Sequence, residues 1–309
     1  MTKLALVGCG YWGKNYIPTI GGIRNAKLTW ICDSETAINK SSLPPGCRFT
    51  TKYSEVLDDK EVVAIIIATP PSTHFQLAKM ALEKGKDVLV EKPMTTDSRE
   101  AMKLNILARK SGRVLMIGHL FLFNTAVLKL KDITQNKRLG NIQYIYSRRS
   151  GPGPVSQDVN AIWSLAPHDI SISNFLTGEI PVTVSANAPS FKNKKAIGTA
   201  SMSLSYAKIK TFIYVSWLEP IKTREVTVVG DKKTAIFDDL AEKKLKIYDN
   251  ADPAKISFPH YVGSSSPLKN QCLHFLKCLK TRQDPITNGQ EGCLNVKILE
   301  NIEKSLPKK

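Results

Sequence analysis

The sequence has no C-x-x-C pair and no zinc-type cysteine–histidine spacing, although it carries six cysteines: Cys9, Cys32, Cys47, Cys272, Cys278 and Cys293. In a chain of 309 residues whose opening reads as a strand rather than a leader, these are expected to be reduced thiols, with no metal site. Long apolar runs are absent as well. The stretch around Ala64–Ala68 falls far short of the roughly 20 residues a membrane span needs, so no membrane partner is expected and the location is read as cytoplasmic. No low-complexity tract, heptad run or fixed-period repeat occurs, which excludes coiled coils and solenoids. Acidic residues are scarce: 27 Asp and Glu face 44 Lys and Arg, a formal net charge of +17. Such a charge raises nucleic acid as a partner, but its distribution argues against it. Residues 1–120 carry a net +6 and the remainder +11, with no basic tail or stripe; runs such as Lys192–Lys195 fall between strand-like segments. The readings that remain are a basic surface and a field that draws in a small anion.

What is present is a change of grammar partway along the chain. Apolar β-branched runs at Lys3–Val7, Leu28–Cys32, Val62–Ala68, Asp87–Val90 and Val114–Gly118 alternate with helical patterns, Ser72–Lys84 and Asp97–Ser111 among them. That alternation predicts an α/β domain with a doubly wound parallel sheet, placed at residues 1–122. Ser72 and Asp97 are taken as N-caps, with Gly85 and Gly112 as stops. Beyond it a helix (Thr125–Gln135), a strand (Ile142–Arg149), a Gly/Pro loop (Gly151–Pro154) and a helix (Asn160–Leu176) lead into a run of strands. These are Val182–Asn187, Ala200–Tyr206, Lys210–Leu218, Glu225–Val229, Lys233–Phe237 and Lys244–Tyr248; helices Leu268–Thr281 and Gln290–Ser305 close the chain. The pattern predicts a second, α+β domain at 123–309 with a mostly antiparallel open sheet, the last helix able to pack back on the first domain. In Lys210–Leu218, Phe212 and Tyr214 point one way and Ile213, Val215 and Trp217 the other. Both sheet faces are therefore expected to be covered, one by helices and one by a second subunit, which makes a homo-oligomer.

Gly8-Cys-Gly10-Tyr11-Trp12-Gly13 follows the first strand and opens a helix, the setting in which G-x-G-x-x-G is a dinucleotide fingerprint. Gly8 makes the turn, Gly10 admits a pyrophosphate and Gly13 lets helix and strand approach; the whole loop, Tyr11 and Trp12 included, is assigned to the cofactor. Asp33, at the end of the second strand, suits an adenosine ribose diol. With Ser34-Glu35 supplying no arginine for a 2′-phosphate, NAD is expected rather than NADP. The third strand runs into Thr69-Pro70-Pro-Ser-Thr-His74 at the sheet's ligand-binding edge, making Thr69, Pro70 and His74 further cofactor candidates. Glu91-Lys92-Pro93 ends the fourth strand at the same edge, where charges behind a buried strand need partners or chemistry. In the second domain Asn160, Trp163, His168 and Asp169 lie on one helical stretch, and Arg148 and Arg149 end a strand before it. Alternation aims the two arginines at opposite faces, so one of them, Arg148, is assigned to an anionic substrate group.

Together these pieces resemble the glucose–fructose oxidoreductase / inositol dehydrogenase / rhizopine-catabolism (Gfo/Idh/MocA) family over essentially the whole chain. The resemblance is carried by Gly8–Gly13, the run ending at His74, Val88-Leu-Val-Glu-Lys-Pro-Met94, Gly118-His119, Ala-Pro-His168-Asp169 and Phe275…Pro285…Gly289-Gln-Glu-Gly292. It implies hydride exchange between nicotinamide and a sugar carbinol carbon. Lys92 would touch nicotinamide ribose, cofactor side, and the substrate hydroxyl, and His168 would be the acid–base. Many members carry aspartate one helical turn before that histidine; this chain has Ser164, so a carboxylate base is missing there. Gly-Tyr-Trp-Gly-Lys-Asn15 and the Asp158–Asp169 block look most like members acting on nucleotide sugars as 3-dehydrogenases or 3-ketoreductases. Free-polyol dehydrogenases, and non-catalytic cofactor-sensing regulators on the same fold, are the alternatives within the resemblance.

Overall fold

A computed structural model describes residues 1–34, 43–152, 158–189, 197–259 and 266–307. Glu35, Pro154 and Lys192–Lys195 lie outside them. The chain divides into two compact units, Met1–His119 with Ser265–Val296, and Leu120–Ser264 with Lys297–Lys309. The first unit is thus assembled from two stretches of sequence rather than from residues 1–122 alone.

The first stretch runs β1 (Thr2–Val7), α1 (Tyr16–Gly21), β2 (Ala26–Cys32), β3 (Arg48–Thr50), α2 (Tyr53–Asp58), β4 (Ala64–Ile67), α3 (Pro71–Glu83), β5 (Asp87–Glu91), α4 (Ser98–Lys110) and β6 (Leu115–Gly118). Its six strands are all parallel in the order β3-β2-β1-β4-β5-β6. A sheet buried on both faces needs continuous apolar strands, and every residue of β4 is fully buried. Order reverses between β1 and β4, so the strand ends at Val7 and Ile67 open a crevice there. Asp97 caps α4 as expected, its carboxylate accepting from the backbone N–H groups of Arg99 and Glu100. Ser72 is not the N-cap: α3 begins at Pro71, behind Pro70, where the missing proline N–H is no loss. Gly85 and Gly112 take positive φ (70° and 62°) past the ends of α3 and α4.

The second unit holds α5 (Thr125–Gln135), β7 (Ile142–Ser150), α6 (Ala161–Thr177), β8 (Thr183–Asn187), β9 (Thr199–Ser205), β10 (Lys210–Ser216), β11 (Thr223–Gly230), β12 (Lys233–Asp238), β13 (Leu245–Asp249) and β14 (Ile256–Ser257). Its sheet has the order β14-β13-β12-β11-β7-β10-β9-β8 and is antiparallel except for the β7–β10 pair. Leu130 and Ile133 of α5 and Ile172 and Leu176 of α6 pack on Ile145, Val226, Val228 and Phe237 of one sheet face. The other face shows Tyr144, Tyr146 and Phe212, each at least a third exposed. Helices α7 (Pro267–Thr281) and α8 (Gly289–Ser305) follow. Among the described residues no helix is long and apolar enough to cross a membrane. All six cysteines are free thiols.

Candidate active site

The crevice of the first unit is a cavity of about 920 Å³ lined by Gly8, Cys9, Gly10 and Tyr11, by Asp33 and Ser34, and by Thr69, Pro70 and Thr73. Glycine is required at two of the three fingerprint positions by sterics. Gly8 has φ of +88°, and a Cβ there would lie 2.7 Å from the Ala68 carbonyl carbon; a Cβ on Gly13 would drive into the Gly8 carbonyl oxygen. Gly10 differs: a Cβ there meets nothing within 4 Å, so its hydrogen faces open cavity. That is the cradle a dinucleotide pyrophosphate needs, and the donor set around it fits NAD. The chain passes from Gly13 through a short 3-10 turn (Gly13–Asn15) before α1, a tighter entry than the straight loop-to-helix step expected. Asp33 Oδ2 accepts from the Cys9 N–H at 2.6 Å, so the carboxylate that faces the cavity also shapes the glycine loop.

Two assigned cofactor residues turn out to be braces. His74 is 1% exposed, with Nε2 2.9 Å from the Thr69 carbonyl oxygen and Nδ1 2.8 Å from that of Pro93. It ties the chain leaving β4 to the chain leaving β5, and burial keeps it from lining the cavity as a ligand would. Glu91 is buried too. Its Oε1 accepts from Trp12 Nε1 at 2.6 Å and from the Tyr16 hydroxyl at 2.7 Å, and Gln271 Nε2 of α7 donates to that hydroxyl at 3.0 Å. Burial pushes the Glu91 carboxyl up, and the Tyr16, Trp12 and Lys92 contacts pull it back down. Glu91 therefore holds the glycine loop rather than a ligand. Tyr16 and Gln271 were not read from the sequence, since a hydrogen bond across 255 residues has no local pattern. Tyr11 is exposed, Trp12 sits at the loop with its ring edge on Glu91, and Lys92 is half-buried between buried Glu91 and Pro93.

In the second unit α6 carries the remaining candidates. Asn160 is its N-cap: Oδ1 accepts the Trp163 N–H at 3.2 Å, and Nδ2 donates to Glu303 Oε1 at 3.0 Å. Trp163 is only 5% exposed and belongs to the core. Both were assigned to substrate; capping and packing are what the structure gives them. Ser164 and His168 are one turn apart, each half-buried, on the same side of the helix. The His168 ring meets Phe121 edge-on at 5.0 Å, and the Arg149 guanidinium lies over the same Phe121 ring at 4.4 Å.

Arg149 is the arginine on the α6 side of the sheet, not Arg148. It donates to Asp169 from Nε at 2.7 Å and from a terminal nitrogen at 3.0 Å, while Ser147 Oγ donates to the same carboxylate at 2.6 Å. Asp169 thus commits its carboxylate to a buried cation and a hydroxyl of its own unit. Arg148 points to the opposite face, where it pairs with Glu219 at 2.6 Å and stands 45% exposed. Alternation separated the two arginines as expected, but which face the helices cover could not be read locally, and Arg148, assigned to substrate, lies on the face away from α6. Among the described residues no three His, Cys, Asp or Glu side chains are grouped to hold a metal.

Comparison with known proteins places this geometry. Residues 2–119 match the oxidoreductase family with NAD-binding Rossmann fold, and residues 127–236 match the GFO/IDH/MocA C-terminal domain. A UDP-N-acetylglucosamine 3-dehydrogenase of Acidithiobacillus ferrooxidans is 36% identical over 66% of this chain and 63% of that protein. An inositol 2-dehydrogenase of Saccharopolyspora erythraea is 28% identical over 60% of this chain and 57% of its own length. The match thus spans less than two thirds of either curated relative. An oxidoreductase structure from Magnetospirillum magnetotacticum superposes with a TM-score of 0.86 at 30% identity, over 97% of this chain and 99% of that one. With both domain matches, a dinucleotide crevice of the right chemistry and a solved relative along its whole length, this chain belongs to the Gfo/Idh/MocA family of NAD-binding oxidoreductases.

Proposed function

We propose that the protein is an NAD-dependent dehydrogenase or ketoreductase acting on a secondary alcohol carbon of a nucleotide-activated sugar. The observation that carries the substrate class is the 36% identity to a UDP-N-acetylglucosamine 3-dehydrogenase. The net charge of +17 supports an anionic substrate by favouring encounter. Arg148 gives no such support, since it is paired on the far sheet face. Gly8–Gly13, Asp33, Thr69 and Pro70 hold the cofactor, whose nicotinamide when bound supplies the two-electron redox chemistry. Lys92 places an ammonium beside the substrate oxygen and stabilises the negative charge that builds there as its proton leaves. His168 takes that proton, an acid–base role an imidazole nitrogen can fill, and Phe121 holds the ring edge-on. Ser164 contributes no carboxylate to the step.

A panel of UDP-sugars, free hexoses and inositols, followed by nicotinamide absorbance at two salt concentrations, tests the substrate class. UDP-sugars should turn over best, with kcat/KM falling as salt rises. Inositol turning over best, indifferent to salt, would instead favour a polyol dehydrogenase, the reading that the 28% identical inositol 2-dehydrogenase supports.

Cofactor choice follows from Asp33 at the cavity wall, which favours a ribose diol and repels a 2′-phosphate. NAD should bind at least about tenfold more tightly than NADP, a gap of about 1.4 kcal/mol. Asp33→Ala should narrow it; equal dissociation constants in the unsubstituted protein would remove Asp33 from the discrimination. We further propose that the exposed aromatic face of the second unit (Tyr144, Tyr146, Phe212) is the surface on which a second copy packs, and that the protein is cytoplasmic.

A further inference from the structure

The Gly289-Gln-Glu-Gly292 segment is part of the family resemblance, yet no step above uses it. Within the first unit it lies against the end of β6. The Ile117 N–H donates to the Thr287 carbonyl at 2.8 Å, Thr287 Oγ1 returns a bond to the Ile117 carbonyl at 2.7 Å, and Met116 bridges Asn288. Asn288 Oδ1 then accepts the N–H groups of Gln290 and Glu291 at 3.0 and 3.1 Å, which starts α8. A Cβ on Gly292 would meet Ile117 at 2.7 Å and the Met94 sulfur at 2.9 Å, so only glycine lets the helix settle this close. The consequence is that Glu291 Oε2 comes to 3.2 Å from His119 Nε2.

Both partners are shut away from water. His119 is 1% exposed; the Glu291 stem is partly exposed but both its carboxyl oxygens are buried. Among the described residues none of these four polar atoms makes a hydrogen bond of good geometry, and the 3.2 Å approach of Glu291 Oε2 to His119 Nε2 is the polar contact between them. Strands β5 and β6 pair Glu91 with Gly118, which makes Lys92 and His119 the next residues on adjacent strand ends. Lys92 is near enough to His119 to disfavour a charged ring there. Glu91, one residue back, is turned to Trp12 and Tyr16, and one turn along α8 the next side chain is the amide of Asn295.

We propose that Glu291 is a positioning residue for the Lys92 end of the site: its carboxyl keeps its proton at working pH and donates it to His119 Nε2. The reasoning is a comparison of proton placements. An imidazolium–carboxylate pair would bury two charges and set one of them beside Lys92, which already disfavours a charged ring. A carboxylate facing a neutral N–H would bury one unpaired negative charge and draw on the Lys92 ammonium. A carboxyl donating to a neutral ring buries no charge and leaves the Lys92 charge uncompensated by this pair. Burial acts in the same direction on both groups, pushing the Glu291 carboxyl up to about 8 and, with Lys92, the His119 ring down to about 3. When Glu291 does ionise, its negative charge blunts the pull of Lys92 on the substrate oxygen.

The role at Lys92 rests on the catalytic reading above; the proton itself does not, and the two are measured separately. Glu291→Gln keeps a donor for His119 and cannot ionise. Infrared titration of the full chain without substrate should show a protonated carboxyl band that fades as pH rises through about 8 and is missing in E291Q. Between about pH 4.5 and 8 the folded protein holds a proton that the unfolded chain has lost, so this group's contribution to stability declines as pH rises. The melting temperature of E291Q should therefore gain on the wild type across that window. In turnover, the wild type should lose activity through an alkaline limb near 8 that E291Q lacks, with kcat below it within about twofold of wild type. A Glu291 carboxyl already ionised at neutral pH, or an E291Q protein that keeps the limb, overturns the proposal.

Discussion

Replacing Lys92 with methionine is expected to lower kcat by about a hundredfold or more while the NAD dissociation constant changes by no more than a few-fold. Methionine keeps much of the stem's volume at a half-buried position between buried Glu91 and Pro93, so the loss isolates the charge. A preorganised cation next to developing negative charge contributes on the scale of about 3 kcal/mol to the barrier. Cofactor grip is set elsewhere, at the ends of β1, β2 and β4, where Gly10 faces the open cavity and Asp33 closes its wall. Stopped-flow turnover and an equilibrium NAD titration separate the two quantities. A variant within about threefold of wild-type kcat removes Lys92 from the chemistry; a large loss of NAD affinity with kcat intact makes it a binding residue only.

The second large effect is on stability. Asp169→Ala should destabilise the protein by about 3–5 kcal/mol, because it strands the Arg149 guanidinium in a site where the two side chains are 3% and 0% exposed. For a unit of this size that corresponds to a fall in melting temperature on the order of 10 °C. Asp169→Leu with Arg149→Met should recover much of the loss, since an apolar pair of similar volume buries no charge. Turnover should not recover with it. Arg149 stacks on Phe121, and Phe121 meets the ring of His168, the proposed acid–base, so the ion pair helps set where that ring stands. Denaturant melts and kcat of the single and double variants test both halves. A single variant as stable as wild type would mean the pair is not the anchor its burial indicates.

Much of the nucleotide half was legible because its signals are local. Runs such as Ala64–Ile67, ended by a turn and followed by a helix, carry strand, order and burial together, and the glycine spacing carries the crevice. The three-residue β3 and six-residue α2 went unread, being too short for any period to register. At the site several side chains assigned to ligands from the sequence have partners within the fold instead. His74 and Glu91 were read as facing a ligand when each faces its own chain. Polar residues behind a buried strand do need partners, and partners from within the fold meet that need as well as a cofactor. Asp169 and Asn160 follow the same logic, one satisfying Arg149 and the other capping α6. The Tyr16–Gln271 and His119–Glu291 pairings join distant parts of the chain, and nothing in either local sequence encodes the other.

The return of Ser265–Val296 to the first unit has a consequence for the order in which the protein can be completed. A ribosome delivers the six parallel strands and the glycine loop early, and domains begin folding as they emerge. Gln271, which fastens Tyr16, and Glu291, which meets His119, are not made until most of the chain has been translated. During that interval the nascent nucleotide fold has its strands but lacks the fastenings this stretch supplies, Arg282 on Asp87 and Thr287 on Ile117 among them. The bracing of the glycine loop through Tyr16 thereby comes late in synthesis, once α7 has been made and can pack on strands already in place.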